Sequence, residues 1–245
     1  MFLYGKNPVL ERLRVNPVSI KKIYIEKKKD LSEIVREIKK QNFYFESLES
    51  VEFLKLVKNV NAQGVAAVVD DFKYIPYDEI LNDRKRIPIF LDSVTDPQNL
   101  GGIIRTLACM SGFSIVLSEY NSAHITETVL RVSSGGENYV PVAKTGNLAK
   151  AITIAKERGF WVFGAAMAEG AKNIISAELK FPLAIVFGAE GTGIRPGVMK
   201  HIDEFFFIPM DGASLSYNVA VATALFCYEI RRKMITSKNT PKNCV

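Results

Sequence analysis

The chain has 245 residues, of which 48% are hydrophobic and 24% charged, the composition of an ordinary folded protein with room for one large or two modest domains. No apolar run approaches the roughly 20 residues of a membrane-spanning helix, and charges stand early in the N-terminal segment, where a signal peptide needs an apolar stretch. These features exclude a membrane-spanning or secreted class, so we expect a cytoplasmic protein.

Cysteines and histidines are few and scattered. Cys109, Cys227 and Cys244 form no CxxC pair, and His124 and His201 are the two histidines. This spacing favours neither a zinc site nor a disulfide framework. We therefore expect no metal.

The positive charge is concentrated at the N-terminus. The first 40 residues contain 11 Lys and Arg against 5 Asp and Glu, and residues 41–245 contain 21 of each, so the net charge of +6 comes from the first segment. Clustered cations suit a phosphate backbone, although a solvated helix face is the alternative. The cations in question are Arg12, Arg14, Lys21, Lys22, Lys27, Lys28, Lys29, Arg36, Lys39 and Lys40.

The first 71 residues alternate between helical and strand patterns. Periodicity predicts helices over residues 7–13, 31–41 and 51–56, and strands over 22–25, 42–45 and 64–69. This is a small α/β unit. A polar stretch over residues 72–86 then has the composition of a linker.

A second α/β alternation occupies residues 87–236. Apolar runs predict strands over residues 87–92, 114–118, 161–165, 183–188 and 204–209, and such continuous runs are typical of a parallel sheet covered on both faces. Helices are predicted over 100–110, 148–158 and 219–233. The last helix is apolar on nearly every side in its first half, so we expect that half to be enclosed. Residues 237–245 form a predicted flexible tail.

Three loops that follow predicted strands contain unusual polar residues. The first contains Asn99 and Arg105, the second has four glycines around Glu190, and the third contains Ser216 and Asn218. In a parallel sheet, ligands bind beyond the carboxyl ends of the strands. The three loops together therefore predict one site.

Each loop taken alone also has a purely structural interpretation. Glycines can simply turn the chain, and Ser216 or Asn218 can cap a helix. Glu190 can pair with Arg195. The spacing of the glycines matches neither a dinucleotide fingerprint nor a P-loop, which disfavours a nucleotide-dependent oxidoreductase.

The three loops, in this order, resemble the signature motifs of the SpoU/TrmH family of RNA ribose 2′-O-methyltransferases. The matching stretches are DPQNLGGIIR at 96–105, VFGAEGTGI at 186–194 and SYNVAVA at 216–222, with RVSSGGE at 131–137 similar to a further family segment. Residues 4–10, YGKNPVL, and 63–66, QGVA, resemble the substrate-binding domain of the branch that modifies large-subunit ribosomal RNA. Two departures stand out, since Tyr217 replaces a common Leu and Gly136 replaces an Ala.

The resemblance implies a fold, a cofactor and partners. The fold is α/β: a parallel-sheet SPOUT domain with a deep trefoil knot over residues 87–236, and a ribosomal-protein-like RNA-binding domain over residues 1–71. The cofactor is S-adenosylmethionine, the substrate is RNA, and a homodimer completes the active site.

The resemblance also assigns residues, each by its position in the motifs. Those implied to surround the reacting ribose are Asn99, Arg105, Glu190, Ser216 and Asn218. Those implied to surround the cofactor are Gly188, Glu190, Gly191, Ile208, Leu215 and Asn218. Candidate RNA contacts are Arg12, Arg14, Lys21, Lys22, Lys27, Lys28 and Arg131.

The implied reaction is methylation of a ribose 2′-hydroxyl, with a guanosine of large-subunit (23S) ribosomal RNA as the expected target. Transfer RNA is the alternative substrate, and an inactive RNA-binding protein is the alternative of another class. The family role of Arg105 is to activate the hydroxyl with help from a substrate phosphate. Because the pKa of a guanidinium exceeds about 12, we favour a role in anchoring the phosphate and stabilising the alkoxide, while the phosphate or a water accepts the proton.

Overall fold

The computed structural model of the chain describes residues 1–58, 62–213 and 215–239. The N-terminal unit contains three helices around a small sheet. In chain order its elements are β1 (Phe2–Tyr4), α1 (Lys6–Val15), β2 (Ile20–Glu26), α2 (Ser32–Lys40), β3 (Phe45–Leu48), α3 (Ser50–Val57) and β4 (Val65–Val69). The sheet order is β1-β4-β2-β3, with β2 parallel to β3 and β4 antiparallel to both of its neighbours.

The periodic apolar residues of this unit form its core, as their spacing predicts. On α2, Ile34 and Ile38 lie one turn apart and both are buried, which places one face of the helix against the core. Strand β3 begins three residues later than predicted, because Asn42 has a φ of 56° and turns the chain. The three-residue strand β1 is too short for its pattern to be recognised in sequence.

The C-terminal unit is built on a parallel sheet of seven strands. In chain order its elements are α4 (Tyr77–Asn82), β5 (Ile87–Asp92), α5 (Pro97–Met110), β6 (Phe113–Ser118), α6 (Glu127–Ser133), β7 (Val142–Thr145), α7 (Leu148–Glu157), β8 (Trp161–Ala165), β9 (Lys172–Asn173), β10 (Leu183–Gly188), α8 (Pro196–Met199), β11 (Glu204–Phe207) and α9 (Val219–Asn239). The strand order is β7-β6-β5-β10-β8-β11-β9, and each neighbouring pair is parallel. This confirms the predicted α/β class with a parallel sheet. The trefoil knot, which concerns the path of the chain through the fold, stays a prediction.

Strands β5 and β10 are central and are buried almost throughout, which explains why their boundaries match the apolar runs in the sequence. Strands β7 and β9 were not predicted, since they have four and two residues and polar positions. Helix α6 also escaped prediction, although Thr126 caps it by accepting a hydrogen bond from the N–H of Val129.

The two units share one hydrophobic core. Leu13 and Val65 of the N-terminal unit belong to the same buried cluster as Leu100 and Ile104 of α5. The segment that leads into the C-terminal unit, residues 72–86, includes α4 and runs along β7, where the N–H of Ile75 donates to the carbonyl of Val142 at 2.9 Å. It is therefore a packed connection rather than a free one.

Helix α9 differs from its prediction in two ways. Val221, Leu225 and Tyr228 lie on one face of the helix and are 46%, 39% and 64% exposed, so the first half is not enclosed on all sides within one chain. The helix also continues to Asn239, into the predicted tail, and residues 240–245 of that tail lie outside the described residues. None of the described helices combines the length and the apolar composition that a membrane crossing requires.

An aromatic cluster holds α9 against the sheet. The ring of Phe163 on β8 lies 5.1 Å from that of Phe206, 5.9 Å from that of Trp161 and 6.1 Å from that of Phe226 on α9. Phe163 and Phe206 are at most 1% exposed. Their packing links the centre of the sheet to the helix that follows the third loop.

Replacing Phe163 with Ala is expected to lower the free energy of unfolding by about 3–5 kcal/mol, because it leaves a cavity at the centre of this cluster. Urea titration followed by the fluorescence of Trp161, the one tryptophan of the chain, measures the change. Met167→Ala is the control, since Met167 is 73% exposed. Equal stabilities of the two variants would contradict the packing described.

Candidate active site

The first and second loops are held together by a buried carboxylate. Asp92 ends β5 and pairs in register with Gly188, the last residue of β10. Its side chain is 0% exposed and accepts hydrogen bonds from the backbone N–H of Arg195 at 2.8 Å and from Arg195 Nε at 2.7 Å. Arg195 therefore pairs with Asp92, and the alternative in which it pairs with Glu190 is wrong.

The second loop is a tight turn after β10. Ala189 and Gly193 exchange backbone hydrogen bonds of 3.2 and 2.9 Å across it. A Cβ on Gly188 would lie 2.1 Å from the carbonyl carbon of Gly193, so only glycine fits there. This turn projects Glu190 from the edge of the sheet toward the start of α9.

Three polar side chains, one from each loop, meet at this edge. Asn218 Nδ2 donates to Asn99 Oδ1 at 2.8 Å and also to Glu190 Oε1. Asn99 Nδ2 donates to the same Glu190 oxygen at 3.3 Å. The structure therefore brings together Asn99, Glu190 and Asn218, as the sequence predicted for the three loops jointly.

Asn218 also has the structural role that its sequence context allowed. Its Oδ1 accepts hydrogen bonds from the N–H groups of Ala220 at 2.9 Å and Val221 at 3.4 Å, which makes it the N-cap of α9. Since its Nδ2 points to the other two loops, one side chain sets both the start of α9 and the site.

Arg105 lies apart from these three residues. It is six positions after Asn99 on α5, which places it roughly 120° around the helix. Its side chain is exposed and makes no hydrogen bond or ion pair within the described residues. It lines a separate cleft of about 300 Å³ with Asn7 and Glu11 of α1, Tyr139 and the turn at residues 133–136.

Tyr139 closes one side of this Arg105 cleft. Its hydroxyl donates to Glu11 Oε2 at 2.7 Å. This hydrogen bond to a carboxylate raises the pKa of Tyr139, with burial adding to the effect. The phenol therefore stays neutral and ties the C-terminal unit to α1.

The third loop lines a second cleft, of about 490 Å³. Leu215, Ser216 and Tyr217 form one wall, and residues 209–213 form the other. Ile208 is half-buried just before it. Tyr217, which departs from the common Leu, is 43% exposed and is therefore not enclosed in the core.

The structure divides the predicted RNA-binding residues. Arg12 is 5% exposed and forms a salt bridge with Glu137 at 2.9 Å, so the prediction that it contacts RNA is wrong in this arrangement of the chain. Arg131 is half-buried, and its Nε has no hydrogen-bond partner among the described residues.

Three exposed lysines of the N-terminal unit have acidic partners that follow them in sequence. Lys21, Lys22 and Lys27 pair with Asp70, Glu46 and Glu49 respectively, and Arg14 pairs with Glu11 and Glu33. The Lys27–Glu49 pair raises the pKa of the lysine and lowers that of the carboxyl. Four of the ten clustered cations near the N-terminus are exposed and have no ion pair within the described residues: Lys28, Lys29, Arg36 and Lys39.

Sequence reasoning missed two buried carboxylates, Asp92 and Glu137. Asp92 looked like the last residue of a strand, and Glu137 like part of a motif, and nothing in the sequence connects either to its arginine partner. Within residues 1–58, 62–213 and 215–239, no group of three or more His, Cys, Asp or Glu side chains is placed to hold a metal.

Comparison with known proteins agrees with this geometry. The SpoU rRNA methylase family model matches residues 86–228, and the model of the RNA 2′-O ribose methyltransferase substrate-binding domain matches residues 2–75. The chain therefore belongs to the SpoU rRNA methylase family, which confirms the resemblance of the three motifs.

Relatives named as tRNA/rRNA methyltransferases and a solved structure with the same fold are similar to the chain. A Staphylococcus haemolyticus protein named for the TrmH family of tRNA/rRNA methyltransferases is 33% identical over 94% of this chain and 95% of its own length. A Synechocystis tRNA/rRNA methyltransferase is 35% identical over 77% of this chain, and that match spans 50% of its own length. The fold resembles that of the SpoU methyltransferase AviRb from Streptomyces viridochromogenes, solved with AdoMet, with a TM-score of 0.79, 18% identity and coverage of 96% of this chain and 91% of that one.

Gly188→Ala is expected to destabilise the protein by about 1–3 kcal/mol, because its methyl group would clash with backbone atoms that cannot rotate away. Gly197→Ala is a matched control, since a Cβ there meets nothing within 4 Å and alanine favours the helix by up to about 1 kcal/mol. Thermal unfolding of both variants measures the difference. A loss of stability in Gly197→Ala equal to that in Gly188→Ala would show that the tight turn is not its cause.

Proposed function

We propose that this protein transfers the methyl group of S-adenosylmethionine to a ribose 2′-hydroxyl of RNA, with a guanosine of large-subunit (23S) ribosomal RNA as its target. The observation that supports this best is the junction of Asn99, Glu190 and Asn218. It joins all three motif loops beyond the ends of β5 and β10, where ligands bind in parallel sheets.

The residues around this junction suit the cofactor. Gly188 and Gly191 bring the second loop close enough for backbone N–H and carbonyl groups to grip an adenosyl group, and Leu215 supplies an apolar wall. When bound, S-adenosylmethionine supplies an electrophilic methyl group. Ile208, Glu190 and Asn218 complete the proposed cofactor site, and the protein's task is to align the acceptor with it.

Arg105 is the proposed contact for the acceptor. Its guanidinium is exposed, unpaired within the described residues and directed into a cleft, so it is available to a phosphate. Anchored next to the target ribose, it also stabilises the charge that develops on the 2′ oxygen. A phosphate oxygen or a water accepts the proton, because a guanidinium is a poor base. Ser216 is the proposed further contact to the ribose.

A homodimer explains why Arg105 lies away from the other predicted catalytic residues. Val221, Leu225 and Tyr228 form an exposed apolar stripe along α9, and Leu215 is 74% exposed nearby in the third loop. Such a stripe favours burial against a second copy. In that arrangement, Arg105 of one chain serves the cofactor site of the other.

The N-terminal unit favours ribosomal RNA over transfer RNA, because a separate domain can grip a structured element away from the target nucleotide. Its unpaired cations and Tyr44, which is 95% exposed, offer phosphate contacts and a stacking surface. Transfer RNA is the second candidate substrate. A binding protein without activity is disfavoured by the intact junction and the free Arg105.

Arg105→Ala is expected to lower methyl transfer by at least about 100-fold while changing the affinity for S-adenosylmethionine less than about twofold, because its side chain lies outside the junction. The assay uses radiolabelled cofactor with unmodified large-subunit ribosomal RNA and, separately, bulk transfer RNA, and nuclease digestion maps the label. Lys172→Met is the control, since it breaks only an exposed pair with Glu204.

Label on a ribose of ribosomal RNA, lost in Arg105→Ala, supports the proposal. Label on transfer RNA alone would favour the second candidate substrate, transfer RNA, over ribosomal RNA. Failure to bind S-adenosylmethionine would overturn the proposed reaction.

Leu225→Glu is expected to convert a dimer into a monomer, because it places a charge at the centre of the apolar stripe. Sedimentation should give twice the chain mass of 27.3 kDa for the wild type and the single mass for the variant. Met167→Glu is the control on a different exposed surface. A wild-type protein that stays monomeric at high concentration would contradict the proposed dimer.

A further inference from the structure

A buried carboxylate in the C-terminal unit is held by the N-terminal unit. Glu137 has a side chain that is 0% exposed and accepts hydrogen bonds from Arg12 Nη2 at 2.9 Å and Ser133 Oγ at 2.6 Å. Asn138 Nδ2 adds a third donor at 3.2 Å. A fully buried carboxylate needs such partners, because burial removes its hydration.

Arg12, on the other side of this contact, is also buried. Its side chain is 6% exposed, and its Nη1 donates to Ser19 Oγ at 3.2 Å. Ser19 Oγ in turn donates to the carbonyl of Asn16 at 2.8 Å. The charge on α1 is thus fixed by its own domain on one side and by Glu137 on the other.

Glu137 follows a turn that separates α1 from α5. A Cβ on Gly135 would lie 2.4 Å from Glu11 Cβ of α1, and a Cβ on Gly136 would lie 3.2 Å from the Cα of Arg105. The backbone of this turn, residues 133–136, therefore touches both helices directly. The same three elements line the Arg105 cleft.

The ion pair and the turn form one continuous path from the N-terminal unit to Arg105. Ser133 begins the turn and Glu137 follows it, and the hydrogen bond between their side chains closes it. A displacement of Arg12 would shift Glu137, and with it the turn against which the backbone of Arg105 packs. Close packing transmits such shifts because it leaves no free space to absorb them.

We propose that Arg12 and Glu137 are positioning residues that align Arg105 with the target ribose of an RNA bound by the N-terminal unit. This rests on the proposed function, in which Arg105 contacts the acceptor. The physical reason is the steep dependence of transfer reactions on alignment, where a displacement of about 1 Å costs on the order of 100-fold in rate. The substrate-binding domain then both binds RNA and helps to position the residue that contacts the target ribose.

The test compares Arg12→Met and Glu137→Gln with the wild type in single-turnover methyl transfer, with RNA and S-adenosylmethionine both saturating. We expect the rate to fall about 10- to 100-fold, while the dissociation constants for cofactor and RNA change less than about threefold. Arg12→Lys keeps the charge and one donor, so it should lose less than Arg12→Met. The double variant Arg12→Met/Glu137→Gln should lose no more than the worse single variant, because the two residues act as a unit.

Lys172→Met is the control, as an exposed lysine whose pair with Glu204 lies outside this path. Unchanged rates in Arg12→Met would overturn the proposal. A loss confined to RNA affinity would also overturn it, because that result is expected of a domain that binds RNA without positioning Arg105. If Arg12→Met does not fold, a graded loss in Arg12→Lys and Glu137→Gln supports the proposal and wild-type rates in both overturn it.

Hydrogen exchange separates this proposal from the proposed function. Amides of residues 133–139 and of α5 around Arg105 should exchange faster in Arg12→Met than in Lys172→Met, whether or not the wild type methylates the RNA supplied. Faster exchange with an inactive wild type would keep the mechanical link and reject the reaction. Unchanged exchange would overturn the link itself.

Discussion

Asp92 lies at the carboxyl end of β5 with its side chain fully buried, and the N–H groups of Arg195 hold it there. Removal of the Arg195 side chain leaves the buried Asp92 carboxylate without its main partner, which costs several kcal/mol. The second loop starts at Gly188 and returns to Arg195, so this pair fixes both of its ends next to β5. The first loop begins after Asp92, the last residue of β5, and leads to Asp96, which caps α5. The positions of Asn99 and Glu190 therefore both depend on this one contact.

The junction of three loops concentrates polar groups beyond the carboxyl ends of β5 and β10. Glu190 Oε1 accepts from two side-chain amides and lies 3.4 Å from the N–H of Val219. That N–H belongs to the first turn of α9, whose positive dipole end favours a carboxylate. Asn218 caps α9 and is itself bonded to Asn99 and Glu190, so these contacts limit the rotation of α9 and set the direction of its apolar stripe. The proposed dimer surface and the proposed cofactor site are thus coupled through one cap.

The N-terminal unit has less free positive charge than its sequence composition implies. Acidic residues after position 41 neutralise Lys21, Lys22 and Lys27, and Arg12 is buried. Of the ten clustered cations, those without an ion pair among the described residues lie on α2 and on the turn after β2. Electrostatic attraction to RNA then falls on a smaller surface, which favours a defined orientation of the RNA over non-specific coating. The orientation of RNA on the N-terminal unit also sets its orientation on the C-terminal unit, because the two units share one core.

The sequence by itself determined the class of fold, the central strands and the three loops that form the site. Continuous apolar runs such as 183–188 have few alternatives to a buried parallel strand, and Gly188 and Asn218 lie at positions where local backbone geometry demands their types. It also indicated the family, because motif residues keep their spacing along the chain. Tertiary structure alone decided which charges meet. Arg195 pairs with Asp92 across 103 positions, and Arg12 pairs with Glu137 across 125. Ion pairing depends on distance in space, and no local pattern in a chain records which distant carboxylate a cation will reach. The separation of Arg105 from Glu190 and Asn218 likewise depends on where the three loops and α5 lie in space, whereas its rotation away from Asn99 follows from the six-residue spacing along the helix.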